Sequence, residues 1–302
     1  MEFQQIIGFY HIVKLGSFTK AAEATFRSQS ALSLQIKSLE DELGCQLFER
    51  IGKRRIKLTL AGEKFFQYSM RLLDQQHQLI TELHEIKALQ IGRLRLAAPF
   101  YSLYYLTLQP LRRYIRQFPK VEITVLDRPP QTVIQLVRDG DIDFGFCMQS
   151  TVPKDLTTLP WEKVESLLLT QTGHPLAKLK NVELEHVAKY PLILPPENLE
   201  YTARKKLEEK FEKEGINYRI IMESSNIELT ALYVKMGFGI AFVCAVKDIQ
   251  VLKQKELKII PLSQYFQPDR LAVIMRKNKV LSSYEKAFLD TLFGRSVASA
   301  EL

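Results

Sequence analysis

Long hydrophobic runs are missing from this chain. No stretch reaches the roughly 18 apolar residues that a membrane-spanning helix needs. The opening Met1-Glu2-Phe3-Gln4-Gln5 carries neither a basic segment nor a small-residue cleavage site, so no secretory signal is expected. A cytoplasmic, soluble protein is the expectation. Cysteine is scarce: Cys45, Cys147 and Cys244 are widely spaced, odd in number and form no C-x-x-C. That excludes a disulfide framework or a zinc ribbon and fits a reducing interior. Cys147 and Cys244 fall in apolar, strand-like stretches and read as buried; a thiol sensor requires a low-pKa cysteine near a second one.

Metal and enzyme chemistry are equally under-represented. His11, His77, His84, His174 and His186 show no ligand spacing, and no metal is expected. The run Asp139-Gly140-Asp141-Ile142-Asp143 alternates like a calcium loop but lacks the glycine at the sixth position and the later glutamate, and Phe144 opens a strand instead. Gly237-x-Gly239 is a lone helix-to-strand turn, not the G-x-G-x-x-G of a dinucleotide loop. No serine or cysteine has a neighbouring base that could activate it. No catalytic residue, cofactor or enzymatic activity is therefore expected.

What is present is a chain of 302 residues, 46% hydrophobic, with room for two or three domains and sizeable cores. Its net charge of +8 and pI near 9.2 favour an anionic partner without naming one. Residues 3–15 read as a helix, with Ile6, Phe9, Tyr10 and Val13 at i, i+3, i+4, i+7. Gly16 stops it and Ser17 can cap a second helix carrying Phe18, Ala21, Ala22 and Thr25. Arg27-Ser28-Gln29 forms a turn. A third helix from about Ser30 to Leu43 has the apolar stripe Leu32, Ile36, Leu39 and Leu43, and turns Ser30, Ser33, Leu34 and Lys37 outward. Two short helices around a tight turn, the second with small polar side chains facing out, are the pattern of a helix-turn-helix that enters the DNA major groove. Residues 50–59 read as a basic hairpin, or wing. A long helix follows from about Ala61 to Leu89. Phe65, Leu72, Leu79 and Ile86 recur every seven residues in it, with Leu83 and Leu89 between, which suggests a dimerising seam.

From Gly92 strands alternate with helices, implying α/β architecture with mostly parallel strands. The strands are expected at Leu94–Ala98, Glu122–Leu126 and Phe144–Met148, with helices at Leu106–Gln117 and Thr132–Arg138. A second unit begins around Pro160–Glu165, with its first strand at Leu167–Thr170. The chain returns to the first unit through Leu271–Met275 and the helix Tyr284–Phe293. Two such lobes make a cleft at their hinge, where ligands favour the carboxyl ends of strands. The expected domains are residues 1–60 (winged helix-turn-helix), 61–90 (linker and dimerisation) and 91–302 (effector binding). Within the last, lobe I spans 91–162 and 267–302, and lobe II spans 163–266.

The chain resembles the LysR-type transcriptional regulators over essentially its whole length. The specific matches are Gly16-Ser17-Phe18, Ala21-Ala22, Ser28-Gln29, Ser33, Ile36, Leu39-Glu40, Leu43-Gly44, Leu47-Phe48, Arg50, Leu58-Thr59 and Ala61-Gly62. Looser ones are Phe118-Pro119, Gly140-Asp141-Ile142-Asp143, His174-Pro175-Leu176-Ala177, Tyr190-Pro191 and Gly237-Phe238-Gly239-Ile240. The resemblance implies an N-terminal winged helix-turn-helix, a linker helix and a periplasmic-binding-protein-like domain that senses a small molecule. It also implies tetramers built as dimers of dimers and contact with RNA polymerase. Many members have proline where Ser30 stands and a basic residue where Leu34 stands. Leucine cannot donate to guanine but can touch a thymine methyl. The segment around Val234–Ile240 is similar to the subgroup that controls sulfur and cysteine metabolism. Ala97-Ala98-Pro99-Phe100-Tyr101-Ser102 departs from that subgroup's threonine-rich strand end, so its ligand does not carry over.

Gln29, Ser30 and Ser33 are expected at base edges, with Leu34 beside them; for Ser28 and Ser30 simple helix capping is the competing use. Arg27 and Lys37 are expected at phosphate, and Lys53, Arg54 and Arg55 at phosphate or the minor groove. Arg50 in the family pattern packs and pairs near the wing as well. The effector, a small molecule of unknown identity, is expected among Pro99, Phe100, Tyr101 and Ser102, Met148 and Gln149, Pro195, Pro196, Glu197 and Asn198, and Ser225 and Asn226. A helix N-terminus at Ser102 would suit a carboxylate. The rival reading is a solute-binding or enzymatic α/β protein whose N-terminal helices serve only assembly.

Overall fold

A computed structural model describes residues 1–49, 56–86, 91–197, 203–246, 249–277 and 279–297. The chain divides into two compact units, Met1–Gly92 and Arg93–Leu302.

The N-terminal unit is built from α1 (Phe3–Leu15), α2 (Phe18–Ala24), α3 (Gln29–Leu43), the short hairpin strands β1 (Phe48–Glu49) and β2 (Lys57–Leu58), and α4 (Leu60–Ile86). Gly16 and Gly44 end α1 and α3 with left-handed φ of 60° and 67°, where a side chain would be strained. Phe9, Ile12, Ala21, Leu32, Ile36, Leu39 and Leu47 are buried together. The Phe9 ring packs on Phe48 at 5.1 Å and edge-on to Phe65 at 4.9 Å. Leu43 does not complete the stripe. It is 39% exposed because the helix stops at Gly44, and Leu47, after the turn, fills the core instead.

One junction joins the end of α3, the wing and the start of α4. The Glu40 carboxylate accepts from the Leu47 and Phe48 amides at 2.7 and 3.2 Å. Thr59 Oγ1 donates to the Gln46 carbonyl at 2.6 Å and accepts from the Gly62 amide at 3.0 Å. A Cβ on Gly62 would lie 2.0 Å from the Leu47 carbonyl oxygen, so only glycine lets α4 begin there. α4 has 27 residues. Phe65, expected in the intermolecular seam, turns into its own domain's core. Further along, Leu72 is half-buried, whereas Leu79 and Leu83 are exposed. The Ile86 side chain and Leu89 lie outside the described residues, as does the wing tip from Arg50 to Arg55.

The C-terminal unit runs β3 (Gly92–Ala98), α5 (Phe100–Ser102), a π-helical turn Leu103–Thr107, α6 (Leu108–Gln117), β4 (Val121–Asp127), α7 (Pro130–Arg138), β5 (Phe144–Met148), β6 (Leu156–Gln171), α8 (Leu184–Ala188), β7 (Leu192–Leu194), α9 (Ala203–Glu214), β8 (Ile220–Glu223), α10 (Ile227–Lys235), β9 (Ile240–Ala245), β10 (Leu257–Pro261), β11 (Asp269–Arg276) and α11 (Ser283–Phe293). Strand order is β4-β3-β5-β11-β6-β9-β7-β8, with β10 paired to β6. In the first lobe α6 and α11 cover one face with Tyr114 and Phe288, while α7 covers the other with Val133 and Val137. In the second lobe α9 buries Leu207 and Phe211 on one face, and α10 buries Ala231 and Val234 on the other.

The second unit begins inside β6, one 16-residue strand that serves both lobes. β11 pairs with its first half, and β9 and β10 with its second. Pro160, which has no N–H to give a ladder, sits beside a register shift between Arg270 and Ala272, the kind of irregularity that tolerates proline in a sheet. The sheet is mixed rather than mostly parallel. β6 must pair with strands of both lobes, and its partners β11, β9 and β10 are all antiparallel to it.

A buried charge cluster holds the first lobe's edge. Asp143 receives the Arg95 guanidinium at 3.0 Å, the Arg95 amide at 2.8 Å and Lys279 Nζ at 3.3 Å; Lys279 reaches on to Glu285 at 2.9 Å. This also accounts for the acidic Asp139–Asp143 run: its last carboxylate is committed to two cations. Burial pushes the Asp143 carboxyl up, but Lys279 and Arg95 outweigh it and hold the group below the usual carboxylate range. Because the folded value is depressed, the stability this group contributes is present above the ordinary carboxylate pKa and is lost as pH falls through the lowered one. Lys279→Met leaves two buried carboxylates short of a cation. It is expected to cost about 3 kcal/mol of unfolding free energy at neutral pH, measured by urea denaturation. The deficit should shrink when the carboxylates are protonated in acid. A variant as stable as the parent at pH 7 would show the cluster to be dispensable.

Candidate DNA-binding surface and effector cleft

α3 presents one face that its own domain does not use. Gln29, Ser30, Ser33, Leu34 and Lys37 are all exposed, Leu34 by 68%. Spacing of three and four residues along a helix places Ser30, Ser33, Leu34 and Lys37 in one stripe opposite Leu32, Ile36 and Leu39. Ser28 has a structural role as the N-cap. It accepts the Ala31 amide at 3.2 Å, and its hydroxyl lies 3.1 Å from that of Ser30. Arg27 is half-buried and donates to Gln4 Oε1 on α1 at 3.2 Å. Lys37 has no partner among the described residues. Beside the turn stands Phe26, 96% exposed with a left-handed φ of 55°. Sequence reasoning passed over it, because an aromatic residue in a turn reads as a core element and its exposure comes only from the backbone geometry. Arg50, Lys53, Arg54 and Arg55 lie outside the described residues.

The expected effector residues fall into two groups. Pro99 caps the helical run that begins with α5, and Phe100 is exposed and stacks on Tyr104 at 5.3 Å. Gln149, Glu197 and Ser225 are exposed, and Met148, Pro195 and Pro196 are half-buried. The others are engaged. Tyr101 reaches across to the second lobe, where its hydroxyl accepts the Val246 amide at 2.9 Å; burial pushes that hydroxyl's pKa up to about 12, so it stays protonated. Ser102 is buried, and its amide donates to the Pro99 carbonyl at 2.9 Å. Asn226 is the N-cap of α10, accepting from Glu228 and Leu229 at 2.9 and 3.0 Å. Asn198 lies outside the described residues. Reading from sequence also stopped one turn short: Tyr104 and Tyr105 continue the aromatic strip, Tyr101 packing on Tyr105 at 5.3 Å. The pairs Phe100/Tyr104 and Tyr101/Tyr105 at i, i+4 were the available signal.

Two further motifs prove to be scaffolding. His174 Nδ1 accepts the Leu176 amide at 3.2 Å and its ring meets Tyr190 edge-on at 4.4 Å. Gly239 permits a turn in which a Cβ would stand 2.4 Å from the Pro191 carbonyl oxygen.

A helix-turn-helix with a free recognition face, on a chain that also carries a two-lobed α/β unit, defines a class: a DNA-binding regulator with a ligand-sensing domain. Comparison with known proteins agrees. Residues 3–63 match the helix-turn-helix model of bacterial regulatory proteins of the lysR family, and residues 87–295 match the LysR substrate binding domain. Over 305 aligned residues the chain is 28% identical to the HTH-type transcriptional regulator SsuR of Burkholderia cenocepacia, covering 100% of this chain and 97% of that one. It is 29% identical to the HTH-type transcriptional activator CmpR of Synechocystis, covering 96% and 94%. A full-length OxyR variant from Pseudomonas aeruginosa shares the fold at a TM-score of 0.69, 22% identity and coverage of 97% and 94%. The chain belongs to the LysR family of transcriptional regulators: it is a DNA-binding regulator with an effector-binding domain.

The Tyr101–Val246 bond is a polar link between the first helical run and the second lobe. Tyr101→Phe keeps the ring and strands the Val246 amide, with an expected loss of about 1–3 kcal/mol in urea unfolding. Unchanged stability would mean that water replaces the hydroxyl.

Proposed function

We propose that α3 reads promoter DNA through Gln29, Ser30, Ser33 and Leu34, with Lys37, Arg27 and the wing cations Arg50, Lys53, Arg54 and Arg55 on phosphate. The observation that supports this most is the unpartnered face of α3, where Leu34 lies open to solvent beside three polar side chains. Leu34 then contributes apolar contact to a thymine methyl, and the neighbouring polar groups supply direction. The effector is a small molecule held among Pro99, Phe100, Tyr101, Met148, Gln149, Pro196, Glu197, Ser225 and Asn226. It acts by binding one arrangement of the two lobes better than another, since a ligand shifts an equilibrium only by its differential affinity. Leu72, Leu79 and Leu83 on α4 join copies of the chain into dimers and, as in the family, tetramers; Leu79 and Leu83 are exposed in the single chain. The protein works in the cytoplasm, touches RNA polymerase when bound upstream of a promoter, and catalyses no reaction. Among the described residues no helix is long and apolar enough to cross a membrane.

Fluorescence anisotropy on the chain's own upstream region, with random DNA as control, tests the DNA surface. Lys37→Ala should weaken binding to every sequence and lower the slope of log K against log salt by about one. Gln29→Ala should cost about 1–3 kcal/mol on the specific site and little on random DNA. Equal losses on both DNAs would remove Gln29 from base readout.

A further inference from the structure

A cavity of about 600 Å³ opens in the C-terminal unit, a size suited to a small molecule. Tyr104 and Tyr105 of the π turn line it, with Glu228, Leu232 and Lys235 of α10 and Gln254 from the loop before β10. Phe100 and Tyr101 of the proposed effector cleft pack on these two tyrosines but do not line the cavity. The π turn carries an extra residue per turn, and two successive tyrosines face the same space.

The walls divide by charge. Glu228 stands in the first turn of α10 and meets no cation among the described residues. Lys235 stands in the last turn, about 10 Å further along the axis on the same face, with Leu232 between them. Gln254 Oε1 accepts from Lys235 Nζ at 2.9 Å, and the Glu256 carboxylate lies 3.8 Å away. At the other end the Tyr105 hydroxyl is shut off from solvent and is turned to the Glu228 carboxylate. Burial and the Glu228 carboxylate nearby push its pKa up, so it stays neutral beside that charge. Tyr104 and Tyr105 meet edge to face at 4.9 Å. Tyrosine rings beside a carboxylate are the chemistry that holds an ammonium group. An ammonium on a side chain, with an amide next to it, suits a carboxylate.

We propose that this cavity is a second ligand site, separate from the effector cleft. It takes a short molecule with an ammonium group at one end, against Glu228 and the tyrosines, and a carboxylate at the other, against Lys235 and Gln254. The apolar middle lies over Leu232.

Isothermal titration of the full-length protein with three probes of one length tests it: 6-aminohexanoate, 1,6-diaminohexane and hexanoate. 6-Aminohexanoate should bind, the diamine about tenfold more weakly because Lys235 repels its second ammonium, and hexanoate not at all at the same concentrations. Glu228→Gln, at an exposed position, should weaken 6-aminohexanoate about tenfold and leave the melting temperature unchanged. Lys235→Met should weaken 6-aminohexanoate but not the diamine. Hexanoate binding as well as 6-aminohexanoate would overturn the proposal, as would unaltered affinity in folded Glu228→Gln. So would the absence of binding by either ammonium compound. Loss of 6-aminohexanoate binding in Gln149→Ala but not in Glu228→Gln would place the molecule in the effector cleft and overturn it equally.

Discussion

The C-terminal unit depends on one strand that belongs to two cores. β6 contributes Leu159 and Val164 to the first lobe and Leu167, Leu168 and Leu169 to the second without interruption. A strand cannot be pulled from one sheet without disturbing the ladder it continues into, so the lobes are coupled by backbone hydrogen bonds rather than by side chains alone. The same arrangement imposes the mixed sheet. It also explains the position of Pro160: a residue with no N–H is tolerated where the ladder with β11 already slips by one position.

Against this shared strand, the helical run from Phe100 is the second connection. Its first turns belong to the first lobe by sequence, yet Tyr101, Tyr105 and Leu106 pack on the second lobe's buried cluster. The π turn at Leu103–Thr107 falls on this stretch, and beyond it the helix returns to regular geometry and buries Tyr114, whose hydroxyl donates to the Tyr284 carbonyl at 2.9 Å. A helix that is anchored at one end in one core and leans at the other on a second core is placed to feel any change in the angle between them.

Much of the architecture was legible because it rests on local rules. Gly16, Ser17 and Gly44 punctuate the helices of the N-terminal unit through backbone conformation and capping, which need no tertiary partner. The alternation of helix and strand after Gly92 likewise follows from hydrophobic period. What the sequence hid was decided at a distance. Leu43 fits the stripe of α3 and still lies exposed, since Leu47 reaches the same core from beyond the turn. Phe65 fits a heptad and still packs on Phe9, because the close approach of Gly62 to Leu47 sets where α4 begins. The second unit was expected to begin around Pro160–Glu165, and that one continuous strand crosses this point, with a bulge by Pro160, is visible only once β11 is paired. The Asp139–Asp143 run was excluded as a calcium loop, but what Asp143 does instead was hidden, because its two cations, Arg95 and Lys279, come from remote segments.

The candidate sites show the same division. Polar residues at helix starts are attractive as ligand-binding groups, but a helix start has its own unsatisfied amides, and those are satisfied first. Ser28, His174 and Asn226 all commit an acceptor in this way, and the Ser102 amide closes its own turn. Other polar and apolar side chains stand outside these caps. On α3 these are Gln29, Ser33, Leu34 and Lys37, which stand clear of every cap. On α10 the Lys235 ammonium is held by Gln254 and Glu256, and Glu228 stands by the Tyr105 hydroxyl, both outside the asparagine cap. Residues of this second kind carry no motif, since nothing in their local sequence distinguishes them from ordinary solvated surface. What sets Glu228 and Lys235 apart is their place around one cavity, where the buried Tyr105 hydroxyl meets Glu228 at one end and Lys235 stands at the other.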